Sequence, residues 1–200
     1  MIAIIDYGAG NLHSVANALT NIGAEYVITS GKSEILSADK IILPGVGAFA
    51  DAMNGLKSMG LDKIIKEAVS LNKPILGICL GLQLLFEESE EGEGVQGLGV
   101  LKGKIVKIPD HGLKIPHIGW NNIILTKESK LLKDLGNEPY VYFVHSYYLK
   151  ASDEDVVSAY TEYGERLDIA IEKGNIYATQ FHPEKSGDTG IKILKNFVEI

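Results

Sequence analysis

Pro74-Ile75-Leu76-Gly77-Ile78-Cys79-Leu80-Gly81-Leu82-Gln83 decides how the chain folds. Its first part, Pro74 to Ile78, is a short unbroken apolar run of the kind that forms a strand buried on both faces, as in a parallel sheet. From Leu80 to Glu88 the pattern turns helical. Cys79 therefore sits where a buried strand meets a helix, with Gly77 and Gly81 two residues to either side. That is the arrangement of a nucleophile elbow, with cysteine in the place of serine. A sharp turn lifts the side chain out of the sheet, and small flanking residues let backbone and substrate approach. The helix start beneath it offers free N–H groups to negative charge. The competing reading takes a lone cysteine as a small buried hydrophobe, and the paired glycines weigh against it.

Upstream, Ile2 to Ile5 is a similar apolar run, ending at Asp6 and a glycine turn. Leu12, Val15, Ala16, Leu19 and Ile22 recur at helical spacing until Gly23. Glu25 to Ile28 and Lys40 to Leu43 read as strands, the second closed by Pro44-Gly45-Val46-Gly47. Helices are predicted from about Phe49 to Lys57 and from Leu61 to Leu71. Gly8-Ala9-Gly10 lacks the third glycine of a dinucleotide fingerprint, which would fall at His13. Gly31-Lys32-Ser33 lacks the leading glycine of a phosphate loop, which would fall at Tyr26. Both stretches read as ordinary loops.

Downstream, the glycines of Gly92 to Gly103 predict a surface loop. β-type runs follow at Lys104–Ile108, Asn122–Leu125, Tyr140–Val144, Val156–Tyr160, Asp168–Glu172 and Ile176–Gln180, with a hairpin turn at Lys173-Gly174-Asn175. Gly190 to Ile200 closes as a helix. The prediction is α/β: an open, mostly parallel sheet with helices on both faces and an antiparallel addition toward the C-terminus, in one domain over residues 1–200.

Composition narrows the function classes. The 200 residues are 46% hydrophobic and 22% charged, as in ordinary globular proteins. Nineteen basic against 26 acidic residues leave a net charge of −7, no general footprint for nucleic acid or an anionic membrane. One cysteine excludes an internal disulfide framework and fits a reducing compartment. The start has no basic segment of a secretory signal, and the Pro74–Leu82 run is far short of a membrane span. A cytoplasmic location is expected.

A cysteine nucleophile needs a base, and the base needs an orienting group. His182, in Thr179-Gln180-Phe181-His182-Pro183-Glu184, follows a predicted strand. In an extended segment His182 and Glu184 project to the same side, and Pro183 keeps the residue before it extended. His145, after the Tyr140–Val144 run, is the second choice, without an equally placed acid. Cys79, His145 and His182 lack the close-paired spacing of zinc ligands, so no metal is expected. The Pro44–Gly47 turn, at a neighbouring strand end, can aim backbone N–H groups at developing negative charge. Gly45 and Gly47 leave a peptide there free to present its N–H or its C=O.

Pro44-Gly45-Val46-Gly47, Leu76 to Gln83, and Gln180-Phe181-His182-Pro183-Glu184-Lys185-Ser186 resemble the three signatures of the triad (class I) glutamine amidotransferases. Asp6-Tyr7-Gly8-Ala9-Gly10-Asn11-Leu12 and Pro116-His117-Ile118-Gly119-Trp120-Asn121 are similar to one branch of that family, and the resemblance covers essentially the whole chain. It implies that Cys79 attacks the side-chain amide of glutamine, with His182 as acid and base and Glu184 orienting it. It implies an oxyanion hole from the Leu80 N–H and a backbone N–H of the Gly45, Val46 and Gly47 turn. Gln83 and His145-Ser146-Tyr147 would hold the amino-acid end of the substrate. No cofactor is implied. The ammonia would pass to a separate (β/α)₈-barrel synthase subunit in a heterodimer, with Asn11, Trp120 and Lys185 facing that partner.

Three alternatives compete. A glutaminase subunit of another amidotransferase, such as one serving pyridoxal phosphate synthesis, is disfavoured by Asn11 and the Pro116–Asn121 segment. A cysteine peptidase or chaperone-like protein on a related fold should lack the His182–Glu184 pair. A noncatalytic binding subunit should have lost Cys79 or His182.

Overall fold

Ile2–Ile5 and Ile75–Cys79 are buried along their whole length, which a strand achieves only with helices covering both faces. The computed structural model describes residues 1–92 and 94–200. In chain order the elements are β1 (Ile2–Ile5), α1 (Leu12–Asn21), β2 (Tyr26–Thr29), α2 (Lys32–Ser37), β3 (Lys40–Gly45), α3 (Phe49–Ser58), α4 (Leu61–Ser70), β4 (Ile75–Cys79), α5 (Leu80–Leu84) and β5 (Glu88–Ser89). They continue with β6 (Gly103–Lys107), β7 (His117–Asn122), β8 (Ile124–Leu125), β9 (Tyr140–His145), β10 (Tyr147–Ala151), β11 (Val157–Glu162), β12 (Arg166–Lys173), β13 (Ile176–Thr179) and α6 (Gly187–Glu199).

The main sheet runs β2-β1-β3-β4-β13-β12-β10-β6-β5. β2, β1, β3, β4 and β13 pair in parallel, and the neighbours from β13 to β6 pair antiparallel. This is the predicted mostly parallel sheet with its antiparallel addition. The period of two along each central strand divides the core. Ile2, Ile4, Ile42, Leu76 and Ile78 pack with Val15 and Leu19 of α1 and with Ile193, Leu194 and Phe197 of α6. Ile5, Ile41, Leu43 and Ile75 pack on the other face with Phe49, Met53 and Leu56 of α3 and Leu61 and Ile65 of α4. Lys173 pairs with Ile176 across Gly174-Asn175, so the hairpin turn predicted at Lys173-Gly174-Asn175 is there, with Lys173 the last residue of its strand. β7 and β9 form a separate two-stranded sheet in register His117↔His145.

Several boundaries differ from the reading of the sequence. The helix predicted from Leu80 to Glu88 stops at Leu84, because the chain beyond it pairs with the glycine-rich segment. Leu98 N–H donates to the Leu84 carbonyl and Gly99 N–H to that of Phe86. A Cβ on Gly97 would lie 2.1 Å from the Phe86 oxygen, so glycine is what allows this approach. The segment read as a surface loop thus buries Leu98 and Leu101; its residue 93 lies outside the described residues. Gly31-Lys32-Ser33, read as loop, opens a short helix, Lys32–Ser37, seated on buried Ile35. β7 precedes the predicted Asn122 start, since its pairing with β9 outweighs the poor strand propensity of His, Gly and Asn. β10 was not predicted, and α6 begins at Gly187 rather than Gly190.

Candidate active site

The carboxyl ends of β3, β4 and β13 converge, because Gly45 pairs with Cys79 and Thr179 with Ile78. Cys79 ends β4 with φ 55° and ψ −109°, a left-handed conformation that turns the chain at once into α5. Close packing of α5 on the sheet forces this turn. A Cβ on Gly81 would stand 1.9 Å from the Leu43 carbonyl oxygen, and one on Gly77 would stand 2.7 Å from that of Gly81. The elbow glycines therefore serve helix–strand contact before they serve substrate access. Leu80 opens the helix, so its N–H has no acceptor within it.

The Pro44–Gly47 turn lies beside the cysteine. Gly45 is required there for space: a Cβ would lie 2.7 Å from the Tyr7 hydroxyl and 2.8 Å from the Leu80 Cβ. Gly47, at φ 95°, has the freedom expected of it. The Tyr7 hydroxyl donates to the Pro44 carbonyl at 2.9 Å and pins the turn from behind. Burial and the neighbouring Cys79 sulfur hold the Tyr7 phenol above its ordinary range, so it stays a donor.

His182 follows β13 in extended conformation, as its place before proline requires, and Pro183–Lys185 then winds into a 3₁₀ turn. That turn, rather than alternation along a strand, brings Glu184 back to the imidazole. Glu184 Oε1 lies 2.7 Å from His182 Nδ1. The two side chains are 2% and 1% exposed, so water does not screen the pair. The loop is anchored by His182 N–H to the Tyr142 carbonyl at 3.1 Å and by Ser186 Oγ to the His182 carbonyl at 2.6 Å. Nε2, the other ring nitrogen, is buried without a hydrogen-bond partner. Burial pulls the His182 pKa down, but the Cys79 sulfur and the Glu184 carboxylate outweigh it and raise the value to about 9.

Cys79, His182, Leu80, Val46, Gly47, Gln83, His145, Ser146, Tyr147 and Lys185 all line one cavity of about 350 Å³. A larger hollow of about 940 Å³, along residues 122–139, is lined by none of them. Gln83 Nε2 donates to the Tyr147 carbonyl at 3.2 Å and to Gln180 Oε1 at 3.1 Å, which spends both its N–H groups and leaves Oε1 as an acceptor. Burial lowers the His145 pKa to about 3, so this second-choice base is a neutral ring whose Nδ1 faces the Tyr147 carbonyl. Asn11 caps α1, accepting from Ser14 N–H at 3.3 Å, and lines a small recess behind His182 and Glu184. Trp120 is 56% exposed on β7, and Lys185 is exposed at the cavity rim.

Four further residues belong to the site or its supports and carry no local sequence signal of that role. Tyr7 and His117 lie in the Asp6–Leu12 and Pro116–Asn121 segments, and Gln180, whose Nε2 lies 3.7 Å from Cys79 Sγ, stands two residues before His182. Glu91, on the cavity wall with Oε2 accepting from Phe49 N–H at 2.9 Å, was hidden in an acidic run. No group of three or more His, Cys, Asp and Glu among the described residues is arranged to hold a metal ion, and no described helix is long and apolar enough to cross a membrane.

Residues 3–200 match the glutamine amidotransferase class-I family. The chain is 52% identical over 200 residues to the imidazole glycerol phosphate synthase subunit HisH of Methanothermobacter thermautotrophicus, covering all of this chain and 98% of that one. It is 50% identical to the subunit of that name from a Geobacillus strain, covering all of this chain and 97% of that one. In fold it is similar to a crystallised glutamine amidotransferase (TM-score 0.79, 19% identity, 100% and 98% of the two chains). It is also similar to the glutaminase domain of Trypanosoma brucei CTPS with bound acivicin (TM-score 0.68, 19% identity, 99% and 93% of the two chains).

Proposed function

Since the chain belongs to the class I glutamine amidotransferases, we propose that it is the glutaminase subunit of an imidazole glycerol phosphate synthase, releasing ammonia from glutamine for histidine biosynthesis. The observation that carries the reading is a cysteine elbow and a histidine on one cavity wall, the histidine held from behind by a buried glutamate, in a chain similar over its whole length to such subunits.

Each residue then has a task. The Cys79 thiolate attacks the side-chain carbonyl carbon of glutamine, and negative charge moves to the amide oxygen. The Leu80 N–H and a backbone N–H from the Gly45–Gly47 turn receive that charge; one such donor is worth about 10²–10³ in rate. As the C–N bond breaks, the His182 imidazolium gives its Nε2 proton to the leaving nitrogen and ammonia departs. A glutamyl thioester remains. Neutral His182 then takes a proton from water, the hydroxide attacks the thioester, and glutamate leaves with the thiolate restored. Glu184 holds Nδ1–H throughout and keeps Nε2 aimed at the sulfur. Gln83 Oε1 and the Glu91 carboxylate supply acceptors for the substrate ammonium, and the Ser146–Tyr147 segment receives its carboxylate end.

Free ammonia would be protonated in bulk water, so a partner must cover the cavity. We assign that role to a (β/α)₈-barrel synthase subunit that turns the ammonia into imidazole glycerol phosphate and aminoimidazole carboxamide ribotide in the cytoplasm. Its docking face would combine exposed Trp120 on β7 with Lys185 at the cavity rim, with Asn11 behind the triad. The test is ammonia release from glutamine with and without the barrel subunit. Cys79→Ala should abolish glutamine-dependent synthesis and leave synthesis from added ammonium salt intact. Loss of both would place Cys79 outside this role.

A further inference from the structure

His117 and His145 are buried, titratable and unused by the triad chemistry. They face each other across β7 and β9, with His117 Nδ1 3.1 Å from His145 Nε2. His145 Nδ1 is 2.9 Å from the Tyr147 carbonyl oxygen. A carbonyl only accepts, so Nδ1 of His145 carries a proton. Burial keeps both rings neutral, lowering His117 to about 4 and His145 to about 3. A neutral ring has one proton. Nε2 of His145 therefore accepts, and Nδ1 of His117 must donate to it. Nε2 of His117 is then bare, and it faces the Asn121 amide nitrogen at 3.5 Å. That amide is oriented independently: its Oδ1 accepts from Asn122 N–H at 2.9 Å and its Nδ2 donates to the Glu162 carbonyl at 3.0 Å. Stacking against Phe143 and Tyr163, at ring centroid distances of 4.7 and 4.0 Å, fixes the plane of the His117 ring.

Each link thus dictates the proton position of the next. The Tyr147 oxygen at the end of this chain also accepts from Gln83 Nε2. Gln83 in turn holds Gln180, whose Nε2 contacts the Cys79 sulfur. We propose that His117 is a positioning residue for the amino-acid end of glutamine: through His145 it holds the Tyr147 carbonyl, and through that carbonyl the Gln83 side chain. The ring order stands on the ring-to-ring and ring-to-carbonyl distances together with the neutrality that burial imposes; only the identity of the substrate rests on the glutaminase reading. Losing the His117 donor leaves His145 Nε2 buried and unpaired, loosening Tyr147 and Gln83, while the His182–Glu184 pair and the elbow backbone keep their own anchors.

Nitrogen-15 NMR of the histidine-labelled chain at neutral pH reads each ring nitrogen directly. Both rings should be neutral with the proton on Nδ1, the form less favoured by free imidazole. A proton on Nε2 of either ring, or a charged ring, overturns the proposal. The kinetic arm uses the complex with the barrel subunit. His117→Phe keeps a stacked ring and removes the donor; KM for glutamine should rise about 3- to 10-fold with kcat within about 2-fold. His117→Asn places an amide nitrogen near the position of Nδ1 and should recover most of the affinity. Unchanged KM in His117→Phe, a loss confined to kcat, or no recovery by His117→Asn overturns the proposal. A wild-type complex that releases no ammonia sinks the glutaminase reading instead, and the NMR result then decides the ring order by itself.

Discussion

At Cys79 the backbone conformation can be weighed against the fold's stability. With φ 55° and ψ −109°, a residue bearing a Cβ is held at a cost of about 1–3 kcal/mol, whereas glycine adopts this conformation freely. Cys79→Ala and Cys79→Gly both remove the sulfur and should both be inactive on glutamine. They differ only in one methyl group and in backbone freedom. At an ordinary buried site the glycine variant would be the weaker by about 1.5 kcal/mol, roughly half from unfolded-chain entropy and half from the lost methyl. Here relief of about 2 kcal/mol of strain offsets that loss, so Cys79→Gly should be the more stable by about 0.5 kcal/mol. The strained and unstrained cases differ by about 2 kcal/mol, or roughly 4–8 °C in Tm for a chain of this size. Urea titrations of the two variants with matched slopes give the difference. A Cys79→Gly variant weaker than Cys79→Ala by about 1 kcal/mol or more would refute the strained elbow.

Other substitutions test the neighbouring parts. Gly81→Ala, with its Cβ 1.9 Å from the Leu43 oxygen, should cost about 3 kcal/mol and remove activity by displacing Cys79; wild-type Tm and turnover would show that α5 does not pack so closely. Glu184→Ala should slow single-turnover glutamine hydrolysis less than His182→Ala, and equal losses would mean that the pair acts as one unit. His182 is raised from 6.5 to about 9, so the fold favours its protonated form. The stability this contributes is fully present below pH 6.5 and lost as pH rises through about 9. The urea midpoint should accordingly fall between those limits in the wild type and less in His182→Gln; parallel profiles would remove His182 as the cause.

The central sheet was legible because strands buried on both faces must be apolar throughout, and Ile2–Ile5 and Ile75–Ile78 can be little else. The elbow was legible because two glycines flank a cysteine at a strand end. What escaped prediction is set by partners distant in sequence. β7 contains Gly119 and two asparagines, a poor strand by propensity, and exists because β9 pairs with every one of its residues. The turn that returns Glu184 to His182 is tight rather than extended, so the right pair was read through the wrong local geometry. Glu91 could not be told from its solvated acidic neighbours, since the cavity it faces is built by residues far away in the chain.

β13 enters the sheet between β4 and β12, in the middle of the molecule, although it is the last strand in the chain. During synthesis, then, a ribosome that has reached Asn175 has made every other strand and left β4 with an open edge. That edge is an apolar strand whose carboxyl end is the future elbow, the kind of surface that invites pairing between chains. Insertion of Ile176–Thr179 closes it, and the same event carries His182 to Cys79. One late strand therefore both ends the exposure of that edge and begins the assembly of the triad, and a truncation just before residue 176 should be prone to aggregate as well as inert.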